Sequence, residues 1–173
     1  VIARPFIGTV GNFNRTVYRK DYSLSPPSDT LLDILYKNGI NTVSIGKIGD
    51  LFNYRGINNN IKTFSNEEGF KELLKASKEF ENSLIFINLV DFDVNYGHRN
   101  DVQGFANALK QFDEFLPDFL KKLDETDGVI FTADNGNDPT TPRTVSSREH
   151  VPVLYSGKNK PSSNLGIRKT LYD

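Results

Sequence analysis

Ser83-Leu84-Ile85-Phe86-Ile87-Asn88-Leu89-Val90 is a near-continuous apolar run bounded by polar chain. That pattern predicts a β-strand covered on both faces, the setting of a strand inside a parallel sheet. Polar residues crowd the next stretch, Asp91 to Asn100. Beyond it Val102, Phe105, Ala106, Leu109, Phe112, Phe115, Leu116, Phe119, Leu120 and Leu123 recur at steps of three or four. This spacing predicts a long amphipathic helix whose phenylalanines are core, kinked or restarted at Pro117, which has no N–H to donate. Gly128-Val129-Ile130-Phe131-Thr132 reads as another buried strand.

Working outward, Ser28-Asp29 supplies an N-cap for a helix starting at Thr30, and Gly39 stands where such a helix would stop. Thr42 to Ile45 is a short strand, followed by the loop Gly46-Lys47-Ile48-Gly49-Asp50. A helix is expected from Asn66 to Phe80, capped by Ser65 or Asn66, with Glu67 and Glu68 complementing its positive start. Val151 to Tyr155 makes a last strand, and Ile167 to Tyr172 begins a helix. Val1 to Pro27 has little helical period and reads as extended chain and loop. Strands alternating with helices give an α/β layered fold with a largely parallel sheet.

The chain has 173 residues, enough for one domain or a large piece of a bigger one. Lys plus Arg number 21 against 22 Asp plus Glu, a net charge of −1, so no basic field points to nucleic acid or an anionic membrane. Apolar residues come in blocks too short to span a bilayer. Cysteine is absent, which removes disulfides, thiolate nucleophiles and cysteine zinc sites, and fits a reducing compartment such as the cytoplasm. Methionine is absent even at position 1, and the opening Val-Ile-Ala-Arg-Pro reads as cut from something longer.

Ligands of a parallel sheet collect beyond the carboxyl ends of its strands, which singles out the loops Gly46–Asp50, Asp91–Asn100 and Ala133–Arg148. In the second, Asp93 and His98 are a carboxylate and an imidazole five residues apart. They could meet at one cation, and oxygen plus nitrogen ligands suit manganese, iron or zinc; alternatively Asp91 or Asp93 caps a turn and His98 faces solvent. Asp134 could reach a metal shared with that loop, or make an Asx turn with Asn135-Gly136. Lys47 could hold an anionic group, or be solvated. Arg4, Arg15 and Arg19 could bind phosphate through bidentate contacts, or solvate an irregular loop.

Several stretches together resemble bacterial phosphopentomutase: Val1–Phe6, Arg15-Thr16, Asp21-Tyr22-Ser23-Leu24, Ile45-Gly46-Lys47-Ile48, Asn88-Leu89-Val90-Asp91-Phe92-Asp93, Tyr96-Gly97-His98-Arg99, Thr132-Ala133-Asp134, Gly136-Asn137-Asp138-Pro139 and Arg148-Glu149-His150-Val151-Pro152. They occur in one order across essentially the whole chain. The resemblance implies an alkaline-phosphatase-like core, incomplete here, with residues 1–22 as the tail of a cap domain returning to the core and residues 23–173 as the C-terminal part of a metal-binding core domain. It implies an isomerase of nucleotide metabolism that interconverts ribose, or deoxyribose, 1-phosphate and 5-phosphate through a phosphothreonine, with manganese (Mn2+) as cofactor. By the same resemblance Asp93 and His98 match ligands of one metal and Asp134 a ligand of another, while Arg15 and Lys47 hold the sugar phosphate.

This sequence departs from the family pattern in two places. Asn135 and Ser146 occupy positions of metal-ligating histidines, and Asn and Ser are weaker, neutral ligands. The half of the family's sequence that holds the threonine nucleophile has no counterpart here, so the chain alone is expected to be inactive and to pair with a missing N-terminal half. Two alternatives follow. One is a metal-free phosphate-binding or interaction domain, in which Arg143 partly replaces lost positive charge. The other, ranked lower, is a relative of cofactor-independent phosphoglycerate mutase.

Overall fold

The structure is a computed structural model, and it describes residues 1–16, 18–142, 149–158 and 161–170. The expected helix start from Ile167 is not helical through residue 170, and the rest of that expectation lies outside the described residues.

The N-terminal stretch is more ordered than extended chain and loop. β1 (Ile2–Ala3) pairs antiparallel with β4 (Lys20–Asp21), and between them β2 (Phe6–Thr9) and β3 (Asn12–Arg15) form an exposed hairpin. The first helix, α1 (Leu31–Lys37), is capped by Thr30 rather than by Ser28-Asp29. Thr30 Oγ1 accepts from the Asp33 N–H while the Asp33 carboxylate accepts from the Thr30 N–H at 2.8 Å, a reciprocal pair that neither Ser28 nor Asp29 forms.

The central sheet is parallel: β5 (Asn41–Ile45) lies between β6 (Asn59–Ile61) and β7 (Ser83–Ile87). Alternation along β5 sends Val43 and Ile45 into a core with Ala76 of α3 (Asn66–Glu79), joined by Leu73, Phe80, Ile61, Ile85 and Ile87. Thr42 and Ser44 are equally buried, and both are satisfied: Thr42 Oγ1 donates to the Gly56 carbonyl at 2.6 Å, and Ser44 Oγ to Asn60 Oδ1 at 2.8 Å. α3 is capped by Ser65, whose hydroxyl accepts from the Glu68 N–H. The loop expected over residues 46–50 contains a single helical turn, α2 (Ile48–Leu51).

The strand expected through Val90 stops at Ile87, and β7 is a sheet edge with Phe86 exposed, so its two faces are not both covered. α4 (Val102–Lys121) runs unbroken through Pro117. Pro117 and Asp113 both face solvent, so water can take the carbonyl that the proline leaves unpaired. The phenylalanine stripe is core only in part: Phe119 is buried, Phe105, Phe112 and Phe115 are half-buried, and Val102, Ala106 and Leu109 of the same pattern are exposed. Phe70 of α3 stacks on Phe115 with ring centroids 4.4 Å apart, Phe115 stacks on Phe119, and Phe112 meets Phe131 edge-on.

Phe131 belongs to β8 (Gly128–Thr132), which pairs antiparallel with β9 (Val153–Gly157) as a separate two-stranded unit. Exposed and half-buried residues alternate along β8, so it is not the buried strand expected. β9 starts two residues later than expected, after Pro152, which has no N–H for a ladder. The parallel core flanked by helices is an α/β arrangement consistent with a partial alkaline-phosphatase-like fold.

Candidate functional site

The three parallel strands finish side by side. The Gly46 N–H donates to the Ile61 carbonyl at 2.9 Å, and the Asn88 N–H to the Ile45 carbonyl at 3.1 Å. Gly46 has φ +83°, and a Cβ there would stand 2.7 Å from the Asn88 carbonyl oxygen, so only glycine fits. The turn presents Lys47 at the carboxyl edge of the sheet, half-buried.

Burial pushes the Lys47 ammonium below its ordinary pKa, the charges of Arg19 and Arg4 push the same way, and Asp93 and Asp21 act against them. These charges come from the N-terminal segment and the loop after β7, and they act on the Lys47 ammonium of the β5 turn. Arg19 is held flat by Asp21: its Nε and Nη2 donate to the two carboxylate oxygens, each at 2.7 Å. The neighbouring Lys20 anchors β4 to α2, donating to Asp50 Oδ1 at 2.7 Å and to the Tyr54 hydroxyl at 2.9 Å. Arg15 is exposed at the end of β3, opposite Phe6. The charges of Arg4 and Arg19 act on the Lys47 ammonium.

The loop after β7 is a compact structure of its own, a π-helical turn over Phe92–Tyr96 followed by a 3-10 turn over Gly97–Arg99. Its entrance is clamped to α3. The Asn66 N–H donates to Asp91 Oδ2 at 2.8 Å, the Asp91 N–H donates to Asn66 Oδ1 at 3.0 Å, and Asn95 Nδ2 donates to Asp91 Oδ1 at 2.9 Å. On the turn so fixed, His98 Nε2 lies 2.9 Å from Asp93 Oδ1, with the side chains 42% and 43% exposed.

The loop after β8 packs on this turn. The Asn137 amide lies against Gly97, and Asn100 Nδ2 donates to the Thr141 carbonyl. Asp134 is exposed, and Asn135 is half-buried with its Nδ2 donating to the Gly136 carbonyl at 3.1 Å. Ser146 and Arg143 lie outside the described residues.

Two ligands at right angles on a cation, each about 2.1 Å from it, stand about 3.0 Å apart. The Asp93–His98 pair is already at that separation, exposed, and composed of donors that suit a divalent transition metal. Among the described residues, however, no three His, Asp or Glu side chains come together as a cage. The pair fits a metal, and the set is not closed by the described residues. Nor is any helix among them long and apolar enough to cross a membrane.

A family model described as the metalloenzyme superfamily matches residues 8–173. The chain belongs to the metalloenzyme superfamily. It is 52% identical over 174 residues to the phosphopentomutase of Dictyoglomus thermophilum, an alignment that covers 100% of this chain and 44% of that protein. It is 51% identical over 174 residues to that of Caldanaerobacter subterraneus, with 44% of the relative covered, and 50% identical over 175 residues to that of Thermotoga maritima, with 45% covered. The chain thus spans less than half the length of the curated relatives it matches. Membership of a metalloenzyme superfamily implies a metal cofactor.

Proposed function

We propose that this chain is the part of a phosphopentomutase that grips the sugar phosphate and supplies a share of the metal ligands. The reaction is the interconversion of ribose, or deoxyribose, 1-phosphate and 5-phosphate through a phosphothreonine, in the cytoplasm. The observation that carries this reading is the gathering of Lys47, Arg19 and Arg4 beside Asp93 at the carboxyl ends of the parallel strands. Lys47, Arg19 and Arg4 against the carboxylates Asp21 and Asp93 leave a net positive charge, which suits an anionic group.

Lys47 is the point charge in that site. A phosphate dianion arriving beside it stabilises the ammonium that burial and two arginines disfavour. Arg19 gives its Nε–Nη2 edge to Asp21 and keeps its remaining Nη hydrogens for a phosphate oxygen. Asp93, His98 and Asp134 would be the ligands this chain contributes to manganese, with the remaining ligands and the threonine supplied by sequence outside it. When bound, such ions polarise phosphoryl oxygens and steady the attacking and leaving oxygens. Residues 1–22 would then be the end of a cap domain and residues 23–173 part of the metal-binding core. This chain by itself binds and does not turn over.

The test is calorimetry with ribose 5-phosphate, with chelator or with Mn2+, alongside a mutase assay. Binding is expected to weaken about tenfold or more in Lys47→Met, the loss of one charge-assisted hydrogen bond. No binding under either condition would overturn the reading. A second reading, a phosphate-binding domain that works without metal, is favoured by the cations around Lys47, beside a ligand set that the described residues do not close. It requires an affinity indifferent to Mn2+, whereas the mutase reading requires Mn2+ to raise it.

A further inference from the structure

We infer that Asn137 and Gly97 form a size-matched lock that holds the His98 turn at a set distance from the Asp134 loop, making both positioning residues for the metal ligands. A Cβ added at Gly97 would stand 2.2 Å from Asn137 Nδ2, 2.6 Å from its Cγ and 2.9 Å from its Oδ1, far inside contact distance. The backbone forbids no side chain there: Gly97 has φ −60° and ψ −56°, ordinary right-handed helical values open to every residue. The three atoms that such a Cβ would meet first all belong to the Asn137 amide. Gly97 is buried, and the Asn137 Nδ2 is buried with no hydrogen-bond partner among the described residues. A buried amide left unpaired is costly, so it sits there for its shape and its reach across the two loops.

The lock lies one residue from His98, on the turn that carries Asp93 at its other end. Across the contact, Asn137 is three residues beyond Asp134 and two beyond Asn135. A second tie runs parallel: Asn100, in the left-handed conformation at φ 53°, reaches the Thr141 carbonyl with its amide. Pushing the two backbones apart by the width of a methyl group would separate the ligand loops, and outer-shell supports of this kind govern metal affinity.

The inference rests on the metal-ligand reading above only for its consequence, not for the contact itself. The test is a size swap in the whole chain: Gly97→Ala, Asn137→Ala and the double variant. All three atoms nearest the new Cβ belong to the amide that Asn137→Ala deletes, so the double variant removes the closest clashes. Amide hydrogen exchange of residues 91–100 and 134–142, without metal, reads the lock directly. Exchange should rise in both segments in Gly97→Ala and fall back toward wild type in the double variant. Broadening of the His98 imidazole signals by added Mn2+ reads the consequence, and Gly97→Ala should need about tenfold to a hundredfold more Mn2+ for equal broadening, with the double variant recovering much of that loss.

Should Gly97→Ala fail to fold, Asn137→Ala alone must still raise exchange in residues 91–100. Exchange in Gly97→Ala equal to wild type, or a double variant no better than Gly97→Ala, would overturn the lock. Rescue by hydrogen exchange with no Mn2+ effect in any chain, wild type included, would sustain the lock and instead count against the metal reading.

Discussion

Asn66 and Asp91, on different elements and joined by a reciprocal pair of hydrogen bonds of 2.8 and 3.0 Å, fasten the start of α3 to the start of the ligand-bearing turn. Each backbone N–H is satisfied by the other residue's side chain, and Asn66 is 3% exposed. Removing either side chain strands a donor, so Asn66→Ala and Asp91→Ala should each lower unfolding free energy by about 1–3 kcal/mol, read as a shift of the urea midpoint. Asp91→Asn is the sharper variant. Both Asp91 oxygens accept, from Asn66 and from Asn95, and an amide has only one acceptor for the two donors. It should fall between Asp91→Ala and wild type.

Lys47 makes stability depend on pH in an unusual direction. Its folded-state pKa lies below the ordinary value of 10.5, because burial and two arginines disfavour the ammonium. Between those two values the unfolded chain holds a proton that the folded chain has released, so this group's contribution to stability rises as pH climbs through the window. Below the window it is a constant penalty. Lys47→Met should therefore be more stable than wild type at neutral pH, with the advantage shrinking as pH approaches 10.5, measured by paired urea unfolding of both chains. An advantage that grows with pH would contradict this.

The parts of the fold that follow from local chemistry were legible in the sequence. α3 was legible because Ser65 precedes a Glu-rich first turn, and α4 because nine apolar residues keep a helical step over its length. The cap of α1 was misplaced because Ser28, Asp29 and Thr30 stand in a row, and only the reciprocal bond to Asp33 selects among them. The covering of β7 and β8 was overread. An apolar strand reports the surroundings it is built for, and β7 is an edge in this chain. Asp93 and His98 were legible as a pair since five residues of tight turn bring them together. Asn137 was not, because what distinguishes it is contact with Gly97, on an element distant in sequence.

Asn135 stands where the resembled family places a ligating histidine. Its amide is occupied with the neighbouring Gly136 carbonyl, and it offers a neutral oxygen at best. Asn135→His supplies an imidazole at the same half-buried place. If this loop faces the Asp93–His98 pair as a shared metal centre, the substitution should tighten Mn2+ uptake about tenfold or more, followed by the free Mn2+ signal in electron paramagnetic resonance. Unchanged uptake would place position 135 outside the centre.

The β8–β9 pair makes the last expectation concrete. Ile130 is opposite Tyr155 and Thr132 opposite Val153 in the ladder, so these four side chains share one face. Ile130 is 67% exposed, and Tyr155 and Val153 are about half exposed; on the other face Phe131 meets Phe112 of α4, while Leu154 beside it is exposed. An apolar two-stranded face with open edges is a template for another strand. The chain should therefore self-associate as its concentration rises, seen as a growing weight-average mass in sedimentation equilibrium. Ile130→Lys puts a charge at the centre of that face without touching Phe131, and should shift the association midpoint by about tenfold. A chain that stays monomeric over the same range, or a lysine variant that associates as strongly as wild type, would show that this face is not the adhesive one.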